Sequence, residues 1–378
     1  MTKRQNSVVI AGFLAMIFSA AGISLLKPST DFSEKENRVL AQHPGVTLEG
    51  VLDGSFSKDY ETYLADQFFA RNAWIGFKTM TERSLGKQEI NDIYFAKDGY
   101  LIEKHSGAFA TDTAERNIGY LTEFVEAQQV VCKPDRVKVM IVPNAVEILK
   151  DKLPPYAENT EEAKYLDRIA DALPPDSMID VQEVLSEHKE EEIYYRTDHH
   201  WKTLGARYAY EAWAEEIGLD IMPTEDYEIE TLTTEFFGTI EAKVNCRVQS
   251  DSIERYRPKQ EVPYTLTYNH HETREDLYDL SYLESRDKYA VFFGGNQPLI
   301  EARTASANDR RLVVIKDSYA NCFLPFAIQD FEKIDIIDIR YFNESLKEYL
   351  ANEDYTDVLV LYNASGFAGD TALARLEH

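Results

Sequence analysis

The first pattern along the chain is an uncharged run from Ser7 through Leu26, rich in Val8, Val9, Ile10, Phe13, Leu14, Met16, Ile17 and Phe18 and preceded by Lys3 and Arg4. About 20 apolar residues suffice to cross a bilayer as a helix. Asp31, Glu34 and Glu36 follow, so the positive-inside bias leaves the N-terminus cytoplasmic and the remainder exported. Residues 1–27 therefore read as an uncleaved single-pass anchor. A cleaved signal peptide, leaving a secreted protein, is the rival reading, because Ala20, Ala21 and Gly22 are small. No second run of that length occurs downstream.

A polar linker leads into helical spacing from Phe56 to Leu85, marked by Tyr60, Tyr63, Leu64, Phe68, Trp74, Ile75 and Phe77, with Gly86 as a stop. Residues 28–95 thus predict a linker and a helical region. Residues 93–102 read as two short strands around the Asp98-Gly99 turn. Apolar strand-like runs then alternate with amphipathic helices: Val137–Val142, Met178–Val181, Leu312–Ile315, Ile334–Ile337 and Val358–Leu361 against helices at 113–130, 183–189, 202–217, 319–329 and 344–351. That alternation predicts an α/β domain over 96–378, a mostly parallel sheet with helices on both faces. The stretch of about 223–289, polar and without helical periodicity, reads as an inserted flap, and Tyr289–Phe293 as strand-like.

Composition narrows the partners. The formal charge of −26 argues against nucleic acid, or any anionic surface, as the main partner. A solvated exterior is the plainer meaning of the same number. Cys132, Cys246 and Cys322 are too few for a disulfide framework and fit no zinc spacing.

Two segments carry chemistry. Thr197-Asp198-His199-His200-Trp201 sets a carboxylate two residues before an imidazole at the mouth of a helix. In extended backbone those two side chains project to one side, so Asp198 can hold one ring nitrogen of His200 while the other faces a substrate. Much later, Ser318 ends the strand-like run from Arg311 and opens a helix, where open α/β sheets place their sites. A serine, a histidine to take its proton and an aspartate to orient that histidine form an acyl-transfer unit if folding unites them. Plain capping roles at both helix starts are the alternative.

These segments resemble the bacterial DHHW protein family, related to the alginate O-acetylation proteins AlgJ and AlgX. The resemblance extends to Glu36-Asn37-Arg38, Asp66-Gln67-Phe68, residues 97–101, Phe293-Gly294-Gly295-Asn296 and Asp338-Ile339-Arg340-Tyr341. It implies an SGNH-hydrolase-like catalytic domain with Ser318 as nucleophile, His200 as base and Asp198 as its orienter, His199 occupying the variable middle position. Lys316 stands where ordinary SGNH hydrolases have glycine, and the order of nucleophile and acid–base pair is reversed. The implied activity is an O-acetyltransferase or acetylesterase acting on a cell-surface polysaccharide, with a multi-spanning membrane acyltransferase as a possible acyl-supplying partner.

Gly294, Gly295 and Asn296 are candidates for oxyanion donors, against a plain tight turn. Arg340 is a candidate substrate contact, against a local ion pair with Asp338. Metal binding by Asp198, His199 and His200 is disfavoured, since adjacent histidines do not readily share one ion and no His-x-x-x-His pair exists. No cofactor is expected. A non-catalytic glycan-binding or assembly protein on the same fold is the second functional reading. Hydrogen-bond contact between Ser318 and His200 separates the two.

Overall fold

The apolar runs become strands at Val137–Val142, Arg311–Lys316, Lys333–Ile337 and Asp357–Asn363 in the computed structural model, which describes residues 3–33, 38–158, 161–306 and 308–377. Glu36 and Asn37 of the resemblance lie outside the described residues. Contacts divide the chain into one unit of residues 1–87 with 242–246 and a larger one of 88–241 with 247–378.

In the larger unit the sheet has seven strands, ordered Glu272–Arg274, Tyr264–Tyr268, Leu299–Thr304, Lys333–Ile337, Arg311–Lys316, Asp357–Asn363 and Val137–Val142. The last four pair in parallel, and the first three join antiparallel. The fold is therefore mixed α/β rather than mostly parallel. The antiparallel half arises partly from residues read as a flap and partly from Leu299–Thr304. That strand alternates buried Ile300 and Ala302 with the more exposed Glu301 and Arg303. Such alternation marks a half-covered antiparallel strand, whereas unbroken burial marks a parallel interior. Residues 178–181 contribute one parallel bridge, Met178 to Val139, rather than a strand.

Alternate residues of each parallel strand enter opposite cores. Leu312 and Val314 join Trp201, Trp213 and Phe323 on one face. Val313 and Ile315 join Leu121, Phe124 and Phe367 on the other. Helices Thr203–Glu216 and Ala320–Ala327 cover the first face, and Asp112–Val131 lies over the second.

Only part of the 223–289 stretch stands apart from the sheet. Tyr227–Phe236 and Asp251–Pro258 form an irregular antiparallel pair, while Tyr264–Tyr268 and Glu272–Arg274 extend the main sheet. Residues 289–293 are not a strand. A 3-10 turn over Lys288–Val291 is followed by three left-handed residues, Phe293, Gly294 and Gly295, at φ 59°, 69° and 86°. Phe293 holds this costly conformation while fully buried.

The smaller unit holds a helix from Lys3 to Leu26, long and apolar enough to cross a membrane over Arg4–Ser24. The helical spacing after Phe56 is divided into Ser55–Gln67 and Arg71–Ser84, with Ala70 at φ 53° between them. Asp66 accepts from Arg38 at 2.5 and 2.8 Å and from the Ala41 N–H at 2.9 Å. Gln67 exchanges two hydrogen bonds with the Thr30 backbone. The Asp66-Gln67 motif thus fastens the linker that follows the apolar helix.

Candidate active site

The buried Arg311–Lys316 strand lies inside the parallel quartet, and at its carboxyl end the chain turns through Asp317, Ser318 and Tyr319 into the Ala320–Ala327 helix. Asp317 shapes that turn. Its Oδ1 accepts from the Tyr319 N–H at 2.8 Å, and its Oδ2 from the Asn363 N–H and Nδ2 at 2.8 and 2.6 Å. The end of the neighbouring strand is so tied to the serine turn. Ser318 is half-buried, and its own N–H has no partner among the described residues.

The second segment is a loop closed on itself. Tyr194 bridges Trp201, the Tyr195 N–H donates to the His200 carbonyl, and the Lys202 N–H donates to that of Ile193. Asp251 clamps the outer side, accepting from the Arg196 N–H and from both the N–H and hydroxyl of Thr197 at 2.6–2.9 Å. Trp201 anchors the other side, its indole N–H reaching the Tyr319 carbonyl at 2.9 Å.

These supports bring the three residues into line. His200 Nε2 lies 2.7 Å from Ser318 Oγ, and its Nδ1 lies 2.5 Å from Asp198 Oδ1. Asp198 Oδ1 also accepts from the His200 N–H at 3.1 Å, and its Oδ2 from the Thr239 N–H and hydroxyl at 2.8 and 3.1 Å. Burial alone would favour a protonated Asp198. The charges of His199 and His200, with the His200 and Thr239 hydrogen bonds, outweigh it and hold the carboxyl far below its usual range. Burial, aided by His199, pushes His200 down to about 4 against the pull of Asp198. An ionised carboxylate only accepts, so Nδ1 carries the ring proton and Nε2 is free to accept from the serine hydroxyl.

Several supporting residues were not evident in the sequence. Tyr289 stacks on the His200 ring, centroids 3.8 Å apart and planes 14° from parallel, while its hydroxyl donates to the Ser318 carbonyl at 3.0 Å. Thr239 and Gly238 come from the region read as a flap. A Cβ on Gly238 would overlap the Asp198 side chain, so only glycine permits that approach. Asn363 stands at the end of an apolar strand, a position that marks the carboxyl edge of a parallel sheet and offered the one readable signal.

The other candidates separate. Half-buried His199 sits 3.9 Å ring-to-ring from His200 and 3.0 Å from the Thr239 hydroxyl. Asn296 is tied to the serine strand, because buried Lys316 donates to its Oδ1 at 3.1 Å and to Asn321 Oδ1 at 2.8 Å. Burial draws the Lys316 ammonium down to about 8 despite Asp338 at 3.7 Å. Gly294 packs instead toward Arg274, and Gly295 toward Ala290. Arg340 is paired bidentately with Asp338 at 2.8 and 2.6 Å. Its charge is felt at the site, where it helps to lower His200 and opposes the burial that raises Asp317. Donor atoms of Asp198, His199 and His200 cluster within 4.8 Å, but both His200 nitrogens are engaged, one by the carboxylate and one by the serine.

A serine and a carboxylate-held imidazole at the carboxyl edge of a mixed α/β sheet define the class of site. The chain belongs to the DHHW protein family, whose profile matches residues 108–337. Among solved structures it is similar to a DHHW family protein from Eubacterium siraeum, at 28% identity and TM-score 0.63, covering 76% of this chain and 96% of that one. PatB1 of Bacillus cereus, solved with a sulfonyl adduct, shares the fold at 22% identity and TM-score 0.62, with 75% and 99% covered. The O-acetyltransferase domain of Pseudomonas putida AlgJ aligns at 13% identity and TM-score 0.46, with 75% and 98% covered. No curated protein matches the chain.

Proposed function

We propose that this chain is a serine-dependent O-acetyltransferase or acetylesterase on an SGNH-hydrolase-like domain, tethered outside the cytoplasmic membrane and acting on a cell-surface polysaccharide. The observation that carries the reading is the continuous line from Ser318 Oγ through His200 to Asp198, with contacts of 2.7 and 2.5 Å. The polysaccharide and the acetyl group come from the motif resemblance. The anchor comes from the Lys3–Leu26 helix and the positive charge of Lys3 and Arg4 at its start.

In this cycle His200 Nε2 takes the Ser318 proton as Oγ adds to an ester carbonyl. The resulting oxyanion lies before the free Ser318 N–H at the start of the following helix. Collapse expels the alcohol, which leaves with the proton held on Nε2, and an acetyl-serine remains. A sugar hydroxyl or water then adds to that ester while His200 accepts its proton, and return of the proton to Ser318 Oγ releases the product. Asp198 keeps the imidazole in the required tautomer throughout. Lys316 steadies Asn296, whose Nδ2 is a candidate second donor to the oxyanion, and Arg340, paired with Asp338, is a candidate substrate contact. A multi-spanning acyltransferase is the proposed acetyl supplier.

The test pairs turnover with labelling. A chromogenic acetyl ester should be hydrolysed by the wild type and not by Ser318→Ala. An arylsulfonyl fluoride should add one sulfonyl group at Ser318, read by peptide mass spectrometry. PatB1 has been captured with a sulfonyl adduct, which makes this reagent class a suitable probe. Equal turnover by both proteins, or labelling elsewhere only, would return the chain to a glycan-binding role.

A further inference from the structure

The Arg71–Ser84 helix is built inside out. One face packs on residues 242–246 with small or polar groups. The Asn72 carbonyl accepts from Asn245 Nδ2, Gly76 lies against Asn245, the Thr79 hydroxyl donates to the Val244 carbonyl at 2.7 Å, and Arg83 reaches Cys246 Sγ at 3.5 Å. Positions 72, 76, 79 and 83 fall on one stripe of a 3.6-residue helix. The opposite stripe bears Trp74 and Phe77, exposed at 40% and 59%, and continues to Leu85 at 80%, with Met80 at 59% on its flank. Leu64 and Phe69 before this helix are also exposed. A soluble surface does not gather large apolar groups in this way without a partner.

The same unit indicates that partner. The Phe69 N–H donates to Ser24 Oγ at 2.9 Å, and Ser24 is the last residue of the span long enough to cross a membrane. Tyr63 meets Ser29 at 3.2 Å, and Gln67 holds Thr30. The aromatic helices are thus fastened to the point where the apolar helix would leave the hydrocarbon. Headgroup depth is where Trp, Tyr and amphipathic helices partition.

We propose that residues 64–85 form an interfacial collar that lies on the outer leaflet, seating the apolar face of the Arg71–Ser84 helix among lipid headgroups. The collar rests on the anchor reading above and adds a second, reversible membrane contact. An uncharged lipid surface suits it better than an anionic one, since the chain carries a charge of −26.

The chain contains its own reporter. Of its three tryptophans, Trp201 and Trp213 are buried at 0% and 1% exposure, leaving Trp74 as the one open to lipid. The full chain, reconstituted in phosphatidylcholine vesicles brominated at shallow or deep acyl positions, should lose about half or more of its Trp74 emission to the shallow bromines and less to the deep ones. Trp74→Phe should abolish this bromine-sensitive component. Phe77→Glu with Leu85→Glu should reduce it while the protein still floats with the vesicles through its apolar helix. Unquenched Trp74 in protein that floats with vesicles overturns the collar and leaves the anchor standing, with a protein partner as the alternative occupant. Failure to float at all removes the anchor, and the collar with it.

Discussion

Replacing Gly238 with alanine sets a methyl group on top of Asp198, the residue that holds the imidazole. The alanine Cβ would overlap the Asp198 Cβ and carboxylate, whereas ordinary carbon contacts begin at about 3.5 Å. Gly238 is buried, its N–H donates to the Thr197 hydroxyl at 3.1 Å, and Asp251 clamps that same threonine. Asp198 is the more movable partner, and it must retreat by roughly 1 Å to restore contact distance. A displacement of that size at a positioned group costs about 100-fold in rate, or ~2.7 kcal/mol of barrier. Overpacking adds roughly 1–3 kcal/mol of lost stability. The two effects separate against Gly205→Ala, whose Cβ would lie 2.6 Å from the Ile193 carbonyl oxygen without contacting the three aligned residues. The assay is kcat on a chromogenic acetyl ester, normalised to folded protein by near-ultraviolet circular dichroism, alongside urea unfolding. Gly238→Ala should lose kcat beyond its stability loss, and Gly205→Ala should lose stability alone. Unchanged kcat in folded Gly238→Ala would refute the claim that Asp198 placement sets the rate.

Asp198→Asn keeps the shape but offers an amide to donors on both sides, His200 and Thr239. Its kcat should fall by about 10³–10⁴, and a loss below tenfold would argue against an orienting role. Because burial first, then His199, sets His200 at about 4, kcat/KM should stay level from pH 8 to about 5 and halve near 4. An acid limb near 6.5 in a pH series would show an imidazole exposed to water. Glu162, wholly buried, is raised to about 8 by burial, against the Asn144 N–H that donates to it. The unfolded carboxyl releases its proton near 4.5 and the folded one near 8, so this group's stabilising effect is complete below 4.5 and declines as pH climbs between those values. Glu162→Gln should flatten that slope in urea midpoints measured at pH 5 and pH 8. An identical slope would locate the pH dependence elsewhere.

Patterning made the long-range plan readable, and its errors have physical causes. The parallel strands at 137–142, 311–316, 333–337 and 357–363 are buried on both faces, so their composition alone announces them. Leu299–Thr304 has a wet side, and its charged Glu301 and Arg303 concealed it. Helical spacing continued through Phe68–Ala70, so the break there, set by Ala70 at φ 53°, was invisible to periodicity. For the site, local chemistry named Asp198 and His200 because the pair lies two residues apart in the chain, and it named Ser318 because it stands at a strand-to-helix turn. Tyr289, Thr239 and Gly238 left no local mark, since each acts through a neighbour far away in sequence.

By itself, then, the order of residues determined an apolar N-terminal helix, an α/β interior and the three polar groups that come into line, because burial period and turn chemistry are short-range properties. Tertiary structure decided that a hydroxyl and an imidazole 118 positions apart meet at 2.7 Å, that the sheet is mixed, and that a tyrosine ring lies flat against that imidazole. Those outcomes depend on how strands register and how loops close over one another, and such relations exist only once the two cores have packed against opposite faces of the sheet.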